Sequence, residues 1–268
     1  MEVISCNESF GGRDDPVAFE HTRVIFQRNG QTYQGLSKRR YKSKSDVTEL
    51  DLYNKCRIPI ERLEPTFEPQ FTTMDHDSNI DERFIKRQRL SSYNPQYPDQ
   101  MKLETLDEVR TCEFLRKHPH PNIAVYHGCE VNGDRITGLC FTRYDQTLLE
   151  RVNPGHYNKR HFSLEMRSKA DPRNASQWFN QIEGGIRHLH SLGIVHNDIN
   201  PSNIMFDGDI PILIDFGSCR PEGSSLCSVG RTYEWYDDTV REATPSNDLD
   251  ALQEMRSWLG GDVDALEF

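Results

Sequence analysis

The sequence predicts an α+β protein with two unlike lobes, and three observations carry that reading. Short β-prone runs and a single amphipathic segment fill the stretch before residue 145. Beyond it the pattern is mostly helical, with periodic segments at about 175–192 and 249–259. Between these lie three short apolar runs, IVHND, IMFDG and PILIDFG, set among turn residues. Strands, one helix and more strands, followed mainly by helices, is an α+β order.

Residues 1–80 give the weakest pattern. RVIFQRNGQTYQGL carries Asn29-Gly30 between two β-prone runs, which predicts a hairpin. From Lys38 to about Asp81 the chain is polar and interrupted by Pro59, Pro65 and Pro69, so a loop with little regular structure is expected. MDHDSN (74–79) belongs to that polar loop and is not read as a metal site. ERFIKRQRL (82–90) reads as a strand and SSYNPQYPDQ as a loop. In LETLDEVRTCEFLRKH (103–118), Leu106, Val109, Cys112 and Leu115 recur at helical spacing. HPNIAVYHGCEV and DRITGLCFTRY predict two strands joined at Asn132-Gly133. A short helix from Gln146 follows, then a longer one from about Ala175 to Leu192, with Ile182, Ile186 and Leu189 on one face and Gly193 as its stop. LDALQEMRSWL is the last helix. The expected organisation is a weakly anchored region over 1–80, a first-lobe core over 81–144 and a helical second lobe over 145–268.

Composition narrows the function classes. The formal charge of −10 excludes a nucleic-acid surface as the expectation. Seven cysteines, with no C-x-x-C pair, argue against a disulfide framework or a zinc ribbon and fit a reducing compartment. The N-terminus has no basic start followed by an apolar run, and no stretch approaches the roughly 18 apolar residues of a membrane span. An intracellular protein, cytoplasmic or nuclear, with no membrane partner is therefore expected. Apolar residues at 35% and charged residues at 28% suggest a normal core beside polar stretches.

HNDINPSN (196–203) has the form His-x-Asp-x-x-x-x-Asn, and twelve residues after its last Asn comes Asp215-Phe216-Gly217, directly behind the apolar ILI. Six fixed identities at fixed spacing in a strand–loop–strand context resemble the protein-kinase catalytic loop followed by its metal-binding DFG. The resemblance implies ATP as phosphoryl donor and Mg2+ as its metal. It casts Asp198 as the catalytic base for the acceptor hydroxyl, and Asn203 and Asp215 as hard oxygen ligands for the metal. It places His196 and Phe216 as packing residues of the two loops.

The resemblance extends outward residue by residue. Lys86 in FIK is similar to the strand lysine that holds the α- and β-phosphates. Its helix partner is expected to be Glu108, with Glu104 and Glu113 as alternatives. LCFTRYDQTL resembles the last first-lobe strand entering the hinge, with Phe141 behind the adenine pocket and Thr142, Arg143 and Tyr144 as hinge residues around the base. Asp248 resembles the buried aspartate that braces the catalytic loop, and GRTYEW (230–235) the end of the activation segment. A group of fungal kinase-like proteins with HNDxNPSNIM and IDFGSCRP is the nearest overall look, over about 82–258.

Four departures qualify the match, one of them that the chain stops soon after the helix expected at Leu249–Leu259. No G-x-G-x-x-G precedes Lys86, Asn197 replaces the usual arginine beside the catalytic aspartate, and Asn200 replaces a lysine that usually touches the transferred phosphate. The fold implied is a bilobal α+β kinase-like fold whose second lobe is truncated after its central helix. The expected function is phosphotransfer to an alcohol, with a protein serine or threonine ahead of a small molecule as acceptor. A pseudokinase that binds nucleotide or a partner, and a small-molecule kinase, remain open beside it. The oligomeric state is left open.

Overall fold

The computed structural model describes residues 1–11, 18–75, 80–166 and 172–266. The last four residues of MDHDSN lie outside the described residues. No helix among those described is long and apolar enough to cross a membrane.

The chain falls into two compact units. The first holds Met1–Glu68, Arg87–Leu106 and Val131–Gly138. Its centre is an antiparallel sheet in the order β1 (Glu2–Gly11), β2 (Ala18–Arg28), β3 (Gln31–Ser37), β4 (Tyr53–Arg57). The expected hairpin is β2–β3. Asn29 and Gly30 both take positive φ, the left-handed backbone that a tight two-residue hairpin turn requires. Side chains alternate across β2 as a strand demands. Ile25 packs on one face with Ile58, Leu63, Tyr93 and Met101, while Val24 and Phe26 pack on the other with Val47 and Leu52. Burial on both faces explains the unbroken apolar run VIF (24–26). The loop expected over 38–81 is more regular than its prolines suggested. It contains β4 and the short helix α1 (Ile60–Leu63), which Pro59 precedes where a missing N–H costs nothing.

The second unit holds Pro69–Lys86, Asp107–Glu130 and the chain from Leu139 on. Strands β5 (Arg83–Lys86), β6 (Tyr126–Asn132) and β7 (Arg135–Thr142) form a sheet in the order β5-β7-β6. Helix α2 (Gln100–Arg116) contributes Glu108 to this unit, with Val109, Cys112 and Leu115 buried as their spacing predicted. Gly128 takes φ +123°, and a Cβ there would lie 2.7 Å from the Thr73 carbonyl carbon. That close approach lets Thr73 bridge to Cys129.

Helices α3 (Leu148–Val152), α4 (Lys159–Met166) and α5 (Pro172–Ser191) follow. Thr147 caps α3 in a reciprocal box with Glu150. Ile182, Ile186 and Leu189 on α5 are fully buried. The three short apolar runs become β8 (Ile194–Val195), β9 (Ile204–Asp207) and β10 (Ile210–Leu213). β8 pairs with β11 (Arg220–Pro221), and β9 pairs with β10. Helix α6 (Pro245–Gly260) comes last, stopped by Gly261 at φ +75°. The sequence did not suggest α4.

Candidate active site

The loops after β8 and β10 carry the fixed identities, and their backbones explain the residue types. Asn197 and Asp215 both sit at φ +63°. Left-handed backbone penalises most side chains, and Asn and Asp bear it best among those with a Cβ. Asp248 opens α6 fully buried and accepts from the backbone N–H groups of His196 (2.8 Å) and Asn197 (2.7 Å) and from the His190 ring (2.8 Å). One carboxylate thus ties α5, α6 and the 196–203 loop together. The His196 ring bridges the two loops, with Nε2 donating to the Ile214 carbonyl (3.1 Å) and the ring packed at a steep angle against Phe216. That bond assigns the Nε2–H tautomer, which leaves Nδ1 to accept from the Asp198 amide (3.3 Å).

Lys86 meets two carboxylates. Its Nζ lies 2.6 Å from Glu108 and 2.9 Å from Asp215. Glu108, rather than Glu104 or Glu113, takes this place. Glu104 accepts from Gln100, and Glu113 holds the Thr72 amide and hydroxyl. Burial works against the Lys86 charge, but Glu108 and Asp215 outweigh it and hold the ammonium above the ordinary lysine range. Burial would also raise Asp215, yet Lys86 keeps that carboxyl below the usual aspartate range. Glu108 is pushed up by burial, with Lys86 pulling the other way.

Asp198 is crowded by donors. Its carboxylate accepts from the Asn203 amide (2.7 Å), the Thr232 backbone N–H (2.7 Å) and the Thr232 hydroxyl (3.2 Å). Burial nevertheless pushes its carboxyl above the ordinary aspartate range, against the lowering effect of the Thr232 amide. Asn203 Nδ2 also donates to the Asp198 carbonyl (3.0 Å), so its amide is turned with Nδ2 inward and Oδ1 available as an acceptor. The backbone ties the two loops here as well, through Ile214 N–H to the Asn203 carbonyl (3.0 Å). The half-exposed Asp215 carboxylate and the free Oδ1 lone pairs of Asn203 are hard oxygen donors of the kind Mg2+ takes.

Asn200 is fully buried, and both its amide hydrogens stay inside the fold, on the Asp198 carbonyl (3.1 Å) and Thr232 Oγ1 (3.1 Å). Asn197 is buried too. Its amide donates to the Val195 and Ser218 carbonyls and accepts from Asn247. Phe141 is buried on β7, directly opposite Phe84 of β5. The Thr142 amide donates to the Val125 carbonyl (3.0 Å) and the Arg143 amide to the Glu82 carbonyl (2.8 Å), so these two donors of the expected hinge are engaged within the protein. The Tyr144 hydroxyl bonds the Val125 amide (3.0 Å).

A family model for the protein kinase domain matches residues 85–238, more than half of the chain. The chain belongs to the protein kinase family. The match opens inside β5, one residue before Lys86, and takes in Glu108, the catalytic-loop identities and the DFG. Human MAPK/MAK/MRK overlapping kinase is 30% identical over 145 residues, covering 51% of this chain and 32% of that protein. MAP kinase kinase kinase win1 of Schizosaccharomyces pombe is 28% identical over 116 residues, 43% of this chain and 7% of its own. Serine/threonine-protein kinase/endoribonuclease IRE1 of Hypocrea jecorina is 30% identical over 130 residues, 46% and 10% respectively. The kinase-family chain therefore spans a third or less of the length of these relatives.

Two parts of the site were not legible in the kinase motif. Thr232 stood in the sequence only as one hydroxyl of GRTYEW, and nothing local announced its contact with Asp198, 34 positions away. Lys159 and Glu254, 95 positions apart, form a buried ion pair that no spacing could reveal.

Proposed function

We propose that the chain is an ATP- and Mg2+-dependent phosphotransferase of the protein-kinase type, acting on a serine or threonine hydroxyl of a protein. The observation that carries this reading is the bridge from Lys86 to both Glu108 and Asp215, together with Asp198 held beside Asn203. Bound MgATP would supply the phosphoryl group and the cation that neutralises its charge. The rest falls to the chain. Lys86, kept cationic by two carboxylates, presents positive charge to phosphate oxygens. Asp215, kept ionised by Lys86, and the Oδ1 of Asn203 are the metal's protein ligands. Phe141 backs the base, and the backbone of 142–144 borders it, with the Thr142 and Arg143 amides unavailable as donors to the base because they are already engaged.

Asp198 would accept the proton of the attacking hydroxyl as the new oxygen–phosphorus bond forms and the bond from that phosphorus to the departing ADP oxygen breaks. A base whose pKa lies above that of an ordinary aspartate holds the transferred proton better. Asn200 offers no cation to the transferred group, and loss of one preorganised donor of that kind costs about 10²–10³ in rate. The expected enzyme is slow.

A second reading rests on Thr232, which covers both carboxylate oxygens of Asp198. On that reading the chain binds nucleotide or a partner and catalyses little. One experiment separates the two: transfer from radiolabelled ATP by purified protein to serine/threonine peptides and to small alcohols, beside Asp198→Asn. The proposal expects transfer to peptide that Asp198→Asn abolishes while MgATP affinity stays within about threefold. Equal residual signal in both proteins points to the second reading.

A further inference from the structure

The end of the activation segment is fastened by residues outside the kinase motifs. Lys159, the first residue of α4, is buried at 7% exposure and paired with Glu254 of α6, itself at 2%. Its ammonium also donates to the Glu234 carbonyl and lies 4.5 Å from the centre of the Trp235 ring. Trp235 in turn packs edge-on against Trp258 of α6 at 5.5 Å, and Trp258 stacks on Phe162 of α4 at 4.2 Å. One cation therefore meets a carboxylate, a backbone carbonyl and an aromatic face, all contributed to a single point by α4, α6 and the 230–235 segment.

That point lies at the end of a short lever. The Trp235 amide donates back to the Thr232 carbonyl (3.2 Å), closing a turn over 232–235. At the start of the turn, Thr232 gives its amide and hydroxyl to Asp198. Burying a lysine disfavours its charged form, and here burial lowers the Lys159 pKa despite Glu254. A methionine or leucine would fill the site without that cost. What a charge offers instead is direction, since an ammonium can hold a carbonyl and a carboxylate at once.

We propose that Lys159, with Glu254, is a positioning residue that sets the 232–235 turn and through it keeps Thr232 on Asp198, so that it governs use of the acceptor and not of the nucleotide. The inference rests on the reading of Asp198 as the base. The bonds that join Lys86 to Glu108 and Asp215 are made by other residues.

The test uses the full chain and the double variant Lys159→Met/Glu254→Met, which removes both charges together and leaves neither one buried alone. Amide exchange resolved to single residues is the first readout. Exchange at Thr232 should quicken about tenfold or more, while protection within α6 and at Asn203 and Ile214 stays at the wild-type level. The second readout is kinetic. The acceptor kcat/KM for a serine/threonine peptide should fall about tenfold or more, with the MgATP Kd within about threefold of wild type. Unchanged exchange at Thr232 overturns the inference. So does a loss of protection spread through α6, or a MgATP affinity that falls in step with turnover, because either outcome marks a merely structural pair. If wild-type protein transfers no phosphate at all, the proposed function fails, and the exchange readout still decides the role of Lys159.

Discussion

Lys86 carries more of this site than any other side chain, because two carboxylates depend on it. Replacing it with methionine leaves Glu108 buried without its cation, and breaking a buried pair on one side costs at most about 3–5 kcal/mol. Lys86→Met should therefore lower the melting temperature as well as MgATP affinity. Lys86→Met/Glu108→Gln should recover part of the stability and none of the affinity, a non-additive cycle measured by calorimetry. Additive losses would place the two residues in separate roles. Asp198 makes a second prediction at this scale. Only its ionised form accepts a proton, and its pKa lies above the ordinary aspartate value of about 3.9. Turnover then falls as pH drops through that raised value. Lys86, held above the usual lysine range, adds no alkaline limb below about pH 10. A kcat profile flat down to about pH 4, the ordinary aspartate value, would sink the assignment of Asp198 as base.

Elements differ in how far the sequence announced them, and the reasons are physical. Helix α5 was legible because Ile182, Ile186 and Leu189 repeat at helical spacing and are all fully buried. The β2–β3 hairpin was legible because Asn-Gly is nearly compelled by its turn. Helix α4 was not, since its first residue buries a lysine where an apolar residue would mark the core face. Strand β1 was hidden by the polar stretch SCNES (5–9) on an edge strand of the first sheet, which needs only one protected side. The catalytic loop and DFG were legible because chemistry fixes identities over a short span, whereas Thr232 and the Lys159 anchor depend on contacts far apart in sequence. The activation segment shows a further consequence of Asn197. Its amide holds the Ser218 carbonyl directly, Ser218 Oγ donates to Gly230, and backbone bonds join Gly223 and Leu226 to Ala243 and Arg241. The segment is thus tied down by neutral groups, with no phosphate required to order it. Phosphatase treatment should leave turnover unchanged. Asn197→Gly keeps the left-handed backbone and removes only the side-chain bonds, so it should cut turnover about tenfold or more. A tenfold loss on phosphatase treatment, reversed by acidic residues at Ser224, Ser225, Ser228 and Tyr233, would overturn this account.

At the scale of the whole molecule, the residues proposed for the chemistry all fall in one of the two units. Lys86, Glu108, Phe141, Asp198, Asn203 and Asp215 all belong to the second unit, while the sheet β1–β4 belongs wholly to the first. Ligand that binds only folded protein adds RT ln(1 + [L]/Kd), about 2.7 kcal/mol at a hundredfold excess over Kd. If MgATP is held by the residues named, its stabilisation must act first on the segments that carry them. Amide exchange with and without MgATP should show added protection across 194–220 and around Glu108, and little across 18–37. Chelating the metal should remove most of that protection, because Asp215 and Asn203 reach the nucleotide through the cation. Asp215→Ala should do the same with metal present. Protection by ATP alone equal to that by MgATP would take the metal away from Asn203 and Asp215. Protection confined to 18–37 would take the nucleotide away from the Lys86 site altogether, and with it the whole assignment of roles to the kinase motif in this chain.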